Sequence, residues 1–181
     1  ERNLGLNKRA KIIGLLIVAV GFAVLTLVHT PVHTELSISR FDQFDIDLGA
    51  VGWVVFAVLL ILGSANAVNL TDGLDGLAGG SAVFAFMAFT IIGFWAFRHP
   101  GTYEVEHALD LAVVAAAMTG ACTGFLWWNA APARIFMGDT GSLAIGAGLA
   151  GLALTTSTAL LLVVIGGLFV VEPLSVLLQV A

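Results

Sequence analysis

Charge is what this sequence has least of: seven basic and twelve acidic side chains in 181 residues, or 10% of the chain. A soluble globular domain carries about 25%, so a water-facing domain of ordinary composition is excluded. With a net charge of −5 there is no basic surface for a nucleic acid, and none is expected as a partner. Cysteine is nearly absent. The single Cys122 falls inside an apolar segment and cannot form an intrachain disulfide, so it reads as a small interior residue. The paired histidines of a zinc site are missing too. His29, His33, His99 and His107 are scattered through connecting loops, and no metal cluster is expected of them. A dinucleotide fingerprint is excluded on context: GAGLAG at 146–151 has the glycine spacing but no preceding strand. There, in GACTG at 120–124 and in GLAGG at 76–80, small residues that let helices approach closely are the better reading.

Apolar side chains are abundant, at 59% of the chain. Six apolar runs, 12–28, 50–66, 80–97, 110–128, 141–156 and 158–181, approach the roughly 20 residues of a bilayer-spanning helix. The expected fold is all-α: one polytopic transmembrane helical bundle over 1–181, with about six membrane helices and the last broken near Pro173. Glu172, just before that proline, is open to two readings, an intramembrane functional acid or a structural partner of the bend. RNLGLNKRAK followed by IIGLLIVAVGFAVLTLV has the outline of a signal peptide. Its apolar run exceeds the ~7–15 residues of such a leader and no A-x-A-like site follows, so a retained helix is expected.

Arg2, Lys8, Arg9 and Lys11 precede the first apolar run, and Arg134 lies between the fourth and fifth. The loops at 29–49 and 98–109 carry Arg40 and Arg98 against Glu35, Asp42, Asp45, Asp47, Glu104 and Glu106. The positive-inside rule then places the N-terminus and the loops at 67–79 and 129–140 in the cytoplasm. The alternating LSISRFDQFDIDL of the first outer loop allows a short β-hairpin, but a solvated connector is the preferred reading.

Two polar stretches interrupt the apolar chain. In NAVNLTDGLDGLAGG, Asn66, Asn69, Asp72 and Asp75 recur every three residues, a spacing that keeps side chains near one face of a helix end. In PARIFMGDTGSL, Pro132 and Gly138 mark a loop, and Asp139, Thr140 and Ser142 open the next helix. Asp139 or Thr140 as an N-cap is one reading; a helix N-terminus suited to phosphate, aided by Arg134, is another. Phe136 is an interfacial anchor or a face for a base. The carboxylates and amide oxygens of the two stretches together suit a hard cation such as Mg²⁺ shared with substrate phosphates.

The same residues resemble a known family. NAVNLTDGLDGLAGG and ARIFMGDTGSLAIGAGLA, with RNLGLNKRAKIIG before them and EPLSVLLQVA after, are similar to the signatures of the phospho-N-acetylmuramoyl-pentapeptide-transferase family, in the polyprenyl-phosphate N-acetylhexosamine-1-phosphate transferase superfamily. The resemblance implies a Mg²⁺-dependent enzyme of the bacterial cytoplasmic membrane, with its site on the cytoplasmic face. Its substrates would be UDP-MurNAc-pentapeptide and undecaprenyl phosphate, its products lipid I and UMP for peptidoglycan synthesis. It further implies Asp139 as metal ligand with Asn69, and Asp72 and Asp75 as active-site acids with Asp75 toward the uridine. Phe136 would stack on uracil, Asn66 and Gly138 would line the pocket, and Gln179 would face the peptide.

Two features of that family are missing from the chain, an aspartate pair upstream of RNLGLNK and a histidine-rich loop beyond LLQVA. Six helices also stand against the family's ten, and no start methionine is present. The expectation is therefore the central part of a longer enzyme, with little turnover alone and a homodimer left open. Rivals are a GlcNAc-1-phosphate transferase of the same superfamily and a cation-coupled transporter, whose site would lie near the bilayer midplane.

Overall fold

A computed structural model describes residues 8–41 and 46–180, the side chains of Lys8 and Val180 excepted. Arg2, Asp42, Asp45, the RNLGLNK stretch and the charge of Lys8 lie outside the described residues. The chain forms α1 (Lys8–His29), α2 (Gly49–Thr71), α3 (Leu77–Arg98), α4 (Pro100–Tyr103), α5 (Ala108–Asn129), α6 (Gly138–Thr155), α7 (Leu161–Ile165) and α8 (Gly167–Val180). No strand occurs among the described residues; Glu35 and Asp47 make a single antiparallel bridge that closes the base of the loop between α1 and α2. The protein is a multi-pass membrane helical bundle.

Four helices, Arg9–His29, Gly49–Thr71, Leu77–Arg98 and Ala108–Asn129, are long and apolar enough to cross a membrane. At 1.5 Å per residue each covers about 30 Å, the thickness of the hydrocarbon core. They are apolar on all sides because they face both protein and lipid. In α2, Trp53, Ala57, Ile61, Ala65 and Val68 are buried at helical spacing, while Val51, Val55, Leu59 and Leu70 are exposed on the other side.

Helix α6 has a different environment. It is 18 residues long, and Ser142, Ile145, Gly146, Leu149, Ala150, Leu152, Ala153 and Leu154 are all buried. Its glycines fit an interior helix that other helices must approach. A Cβ on Gly146 would collide with Ser64 O and stand 2.5 Å from Ala65 Cα, so α6 lies directly on the backbone of α2. The expectation for GAGLAG is met here and at Gly151, where a Cβ would stand 3.3 Å from the Phe22 ring. In GLAGG, Gly79 packs similarly under Phe125, at 3.3 Å. GACTG is a correction: Cys122 is buried as expected, but added Cβ atoms on Gly120 and Gly124 would meet nothing within 4 Å. Those two glycines lie on the exposed side of α5, away from its seam with α3.

The last apolar run is interrupted at Gly166, between α7 and α8, rather than at the proline. Gly166 caps α7 through its N–H to Leu162 O at 2.7 Å. Pro173 sits inside a continuous α8, with Glu172 beside it half-buried. A membrane helix tolerates an internal proline where neighbouring structure absorbs the freed carbonyl. Here the ring of Pro173 lines an apolar cavity of about 280 Å³ between α2 and α7–α8, bounded by Leu59, Gly63, Val68 and Phe169.

Chain order fixes where the polar residues meet. The start of α1, the end of α2, the start of α3, the end of α5 and the start of α6 all come together at one end of the bundle, joined by the hydrogen bonds described next.

Candidate active site

The two polar stretches meet through Asn69. Its side-chain amide donates to Asp139 Oδ1 at 2.9 Å and to Ser142 Oγ at 2.8 Å. Ser142, fully buried in α6, donates its hydroxyl hydrogen bond to Gly138 O at 2.9 Å, which leaves its oxygen lone pairs to accept from Asn69. One turn along each helix lies the contact of Gly146 with Ala65, so the absence of a side chain at Gly146 is what brings Asn69 within reach of α6. Gly138 opens α6 with φ +60°, a conformation that suits glycine. Neither Asp139 nor Thr140 caps the helix: the N-cap is Met137, with no side-chain hydrogen bond, so the Asp139 carboxylate is left for other partners.

A third helix joins this pair. Lys11 of α1 donates to Asn69 Oδ1 at 2.8 Å and stands 3.3 Å from Asp139 Oδ2. In the sequence Lys11 is only a topological charge and Ser142 only a residue near a helix start. Their part in the site depends on separations of 58 and 73 residues that no local pattern encodes. The Asn69 amide first, and then Lys11, hold the Asp139 carboxyl below its ordinary value of 3.8. Asp139 is exposed, and an open cleft of about 320 Å³ runs from Lys11, Asp139 and Thr140 between α1 and α6.

The other acids are placed differently. Asp72 follows the end of α2, half-buried, and desolvation raises its carboxyl above 3.8. Among the described residues no group donates a hydrogen bond to that carboxylate, so burial acts on it without an opposing partner. Asp75 lies in the turn before α3, and its Oδ2 accepts the Ala133 N–H at 2.9 Å. That bond ties the α2–α3 turn to the 130–137 loop. Asn129, buried at the end of α5, makes the same tie twice: its Oδ1 accepts the Gly76 N–H at 3.0 Å, and its Nδ2 donates to Ile135 O at 2.8 Å. The one local signal for Asn129 is a polar residue closing the apolar FLWWN run.

Phe136 projects from this loop with 75% of its surface exposed. Arg134 lies 5.8 Å from the centre of the Trp128 ring. Asn66 does not join the cluster, being exposed with its amide donated back to Leu62 O at 2.8 Å, and among the described residues the Asp72 side chain makes no hydrogen bond to the cluster either. A period of three falls short of the helical 3.6, so the series rotates around α2 and only Asn69 points at α6. Gln179 is exposed near the end of α8, and among the described residues no contact joins it to the others.

Comparison with known proteins gives this geometry a context. Residues 3–157 match the model of the family described as Glycosyl transferase family 4. The chain is 52% identical to the phospho-N-acetylmuramoyl-pentapeptide-transferase of Saccharopolyspora erythraea, over 99% of this chain and 54% of that protein. It is 54% identical to the protein of that name from Rhodococcus opacus, over 100% of this chain and 54% of the other. The protein of that name from Mycobacteroides abscessus is 52% identical over 99% and 54% respectively. The chain thus spans about half the length of the curated relatives it matches.

Proposed function

The chain belongs to glycosyl transferase family 4, and on that premise we propose that the protein transfers phospho-MurNAc-pentapeptide from UDP-MurNAc-pentapeptide to undecaprenyl phosphate, giving lipid I and UMP. The observation that carries this reading is the Asn69–Asp139 bond, which joins the two polar stretches at one end of a membrane bundle. The bilayer would supply the lipid acceptor, and the cytoplasmic end of the bundle, by the positive-inside rule, would receive the nucleotide. The apolar cavity between α2 and α7–α8 reaches Val68, next to Asn69, and so offers a prenyl chain a place beside the polar cluster.

In the reaction, a phosphate oxygen of the lipid attacks the sugar-linked phosphorus. The bond from that phosphorus to the bridging oxygen breaks, and UMP leaves with the bond's electrons. A chain of this kind contributes positioning and electrostatics more than covalent chemistry. Phe136 would stack on uracil, and Asp75, held by the Ala133 N–H, would face the uridine. Asp72, its carboxyl raised by burial, would take the proton of an incoming phosphate. Asn66 and Gly138 would line the pocket, and Gln179 would face the peptide.

Magnesium fits the donors present. Asn69 Oδ1 and Asp139 Oδ2 are oxygens that already converge on one cation, the Lys11 ammonium. No group of three or more His, Cys, Asp or Glu that could hold a metal occurs among the described residues. Mg²⁺ suits such a sparse set, because it keeps waters and shares its shell with substrate phosphates. Asp139 and Asn69 would hold it, and when bound it would neutralise charge on the diphosphate.

A cation-coupled transporter receives less support, since these donors lie at helix ends and not at an unwound helix near the midplane. The test is release of UMP, in lipid nanodiscs supplied with both substrates, by the longer enzyme of which this chain is expected to be the central part. Release that needs undecaprenyl phosphate and Mg²⁺ supports the reading. Release driven equally well by UDP-GlcNAc would move it to the sister activity.

A further inference from the structure

We propose that the Lys11 ammonium and the divalent cation are alternative occupants of one position, Lys11 being a positioning residue that holds Asn69 and Asp139 together until the metal displaces it. This rests on the metal reading given above and adds a step to it.

The orientation of the Asn69 amide is decided by its partners. The NH₂ end has two acceptors, Asp139 Oδ1 at 2.9 Å and Ser142 Oγ at 2.8 Å, so the carbonyl end must face the other way, toward Lys11 at 2.8 Å. Asp139 is divided in the same manner, with Oδ1 taken by the amide of Asn69 and Oδ2 standing 3.3 Å from the ammonium. The two oxygens left over by the Asn69–Asp139 bond are therefore the two that hold Lys11. A metal that uses this pair must take them from the lysine. Mg²⁺ binds oxygen at about 2.0–2.1 Å, so a metal seated on both would overlap the ammonium, and two cations that close repel strongly.

Lys11 is also held and not merely nearby. Its side chain is only 20% exposed, and it crosses from α1 to partners on α2 and α6. The cleft between α1 and α6, lined by Gly14, Leu143 and Ala147 as well as Lys11 and Asp139, gives the displaced chain room to move. Once released, the ammonium can pair with a phosphate oxygen. Metal alone must then overcome the lysine, whereas metal arriving with a diphosphate finds a new partner for it. The device delays metal binding until nucleotide is present, and it keeps the Asp139 charge compensated before then.

The experiment measures Mn²⁺ binding, by the electron paramagnetic resonance of free Mn²⁺, to the protein in nanodiscs without nucleotide. Lys11→Met should tighten Mn²⁺ by about tenfold, equivalent to about 1.4 kcal/mol. Lys11→Arg, which keeps a cation in place, should not tighten it, and Asp139→Asn should remove the binding. A second arm needs no lysine variant. The rate at which an amine acetylating reagent modifies Lys11, read by mass spectrometry, should rise when Mn²⁺ is added and be insensitive to Mn²⁺ in Asp139→Asn. Asp139-dependent Mn²⁺ binding that Lys11→Met leaves unchanged or weakens, with no change in Lys11 labelling, would overturn the exchange while sparing the metal site. Absence of any Asp139-dependent binding would overturn the metal reading, and the exchange with it.

Discussion

Asn69 and Asp139 lie 70 residues apart in the chain and 2.9 Å apart across the site, amide nitrogen to carboxylate oxygen. That bond makes one site of two motifs, and the residues that support it give the account several points of attack.

Asn129 holds the two site loops to each other. Replacing it with Ala leaves the Gly76 N–H and the Ile135 carbonyl without their buried partner. The expected loss is about 1–3 kcal/mol, because Gly76 is half-buried and Ile135 exposed, so water can reach part of what is orphaned. Thermal unfolding in detergent should show a clear fall in Tm, with nucleotide affinity falling alongside. An unchanged Tm would mean the clamp is not structural.

Gly146 and Gly124 make a paired prediction. A methyl on Gly146 collides with the α2 backbone at Ser64 and Ala65, so Gly146→Ala should be strongly destabilising and should separate Asn69 from Asp139. Gly124→Ala meets nothing within 4 Å and should be neutral or stabilising by about 0.5–1 kcal/mol, the helix preference for Ala over Gly. Unfolding curves of the two variants check both signs at once.

Phe136 is 75% exposed, so removing its ring should leave the fold intact. If the ring stacks on uracil, Phe136→Ala should weaken UDP binding by about tenfold, in keeping with about 1–3 kcal/mol for stacking of a base on an aromatic ring. Calorimetry of UDP binding at unchanged Tm tests this. Equal affinity in the two proteins would remove Phe136 from the pocket.

The half-buried Asp72 gives a prediction of opposite sign for stability and for turnover. Its carboxyl is raised, so ionisation is costlier in the folded protein than in the unfolded chain. The penalty is absent below the ordinary value of 3.8 and fully present above the raised one. At neutral pH Asp72→Asn should therefore stabilise the fold slightly, while UMP release falls by about 10²-fold or more if the carboxylate is the base. A variant that is both less stable and fully active would contradict both halves.

Much of this was legible in the sequence. Apolar run length gives six candidate spans, and four of them form helices long and apolar enough to cross a membrane; the fifth falls largely within the 18-residue α6 and the sixth divides into α7 and α8. The motif residues Asp139 and Asn69 stand out by polarity in an apolar setting. The contributions of Lys11, Ser142 and Asn129 do not, because each depends on a distant partner. Lys11 matters only once α1 packs beside α6, and that packing is set by side chains distributed along both helices. The break of the last segment was misplaced for a related reason. Proline is the stronger local signal, but Gly166 is where α7 ends against its own Leu162 carbonyl, while Pro173 is carried within α8. Asn66 fell out of the cluster because a three-residue spacing drifts around a 3.6-residue helix.

The most direct test of the central claim is UMP release by Asp139→Asn in lipid nanodiscs with both substrates and Mg²⁺. The substitution keeps the size of the side chain and its place beside Asn69 while removing the charge. The account predicts turnover lost by about 10³-fold or more, comparable with removal of a principal electrostatic group, with helix content and Tm close to those of the parent. Turnover within a few-fold of the parent, still dependent on Mg²⁺, would contradict it.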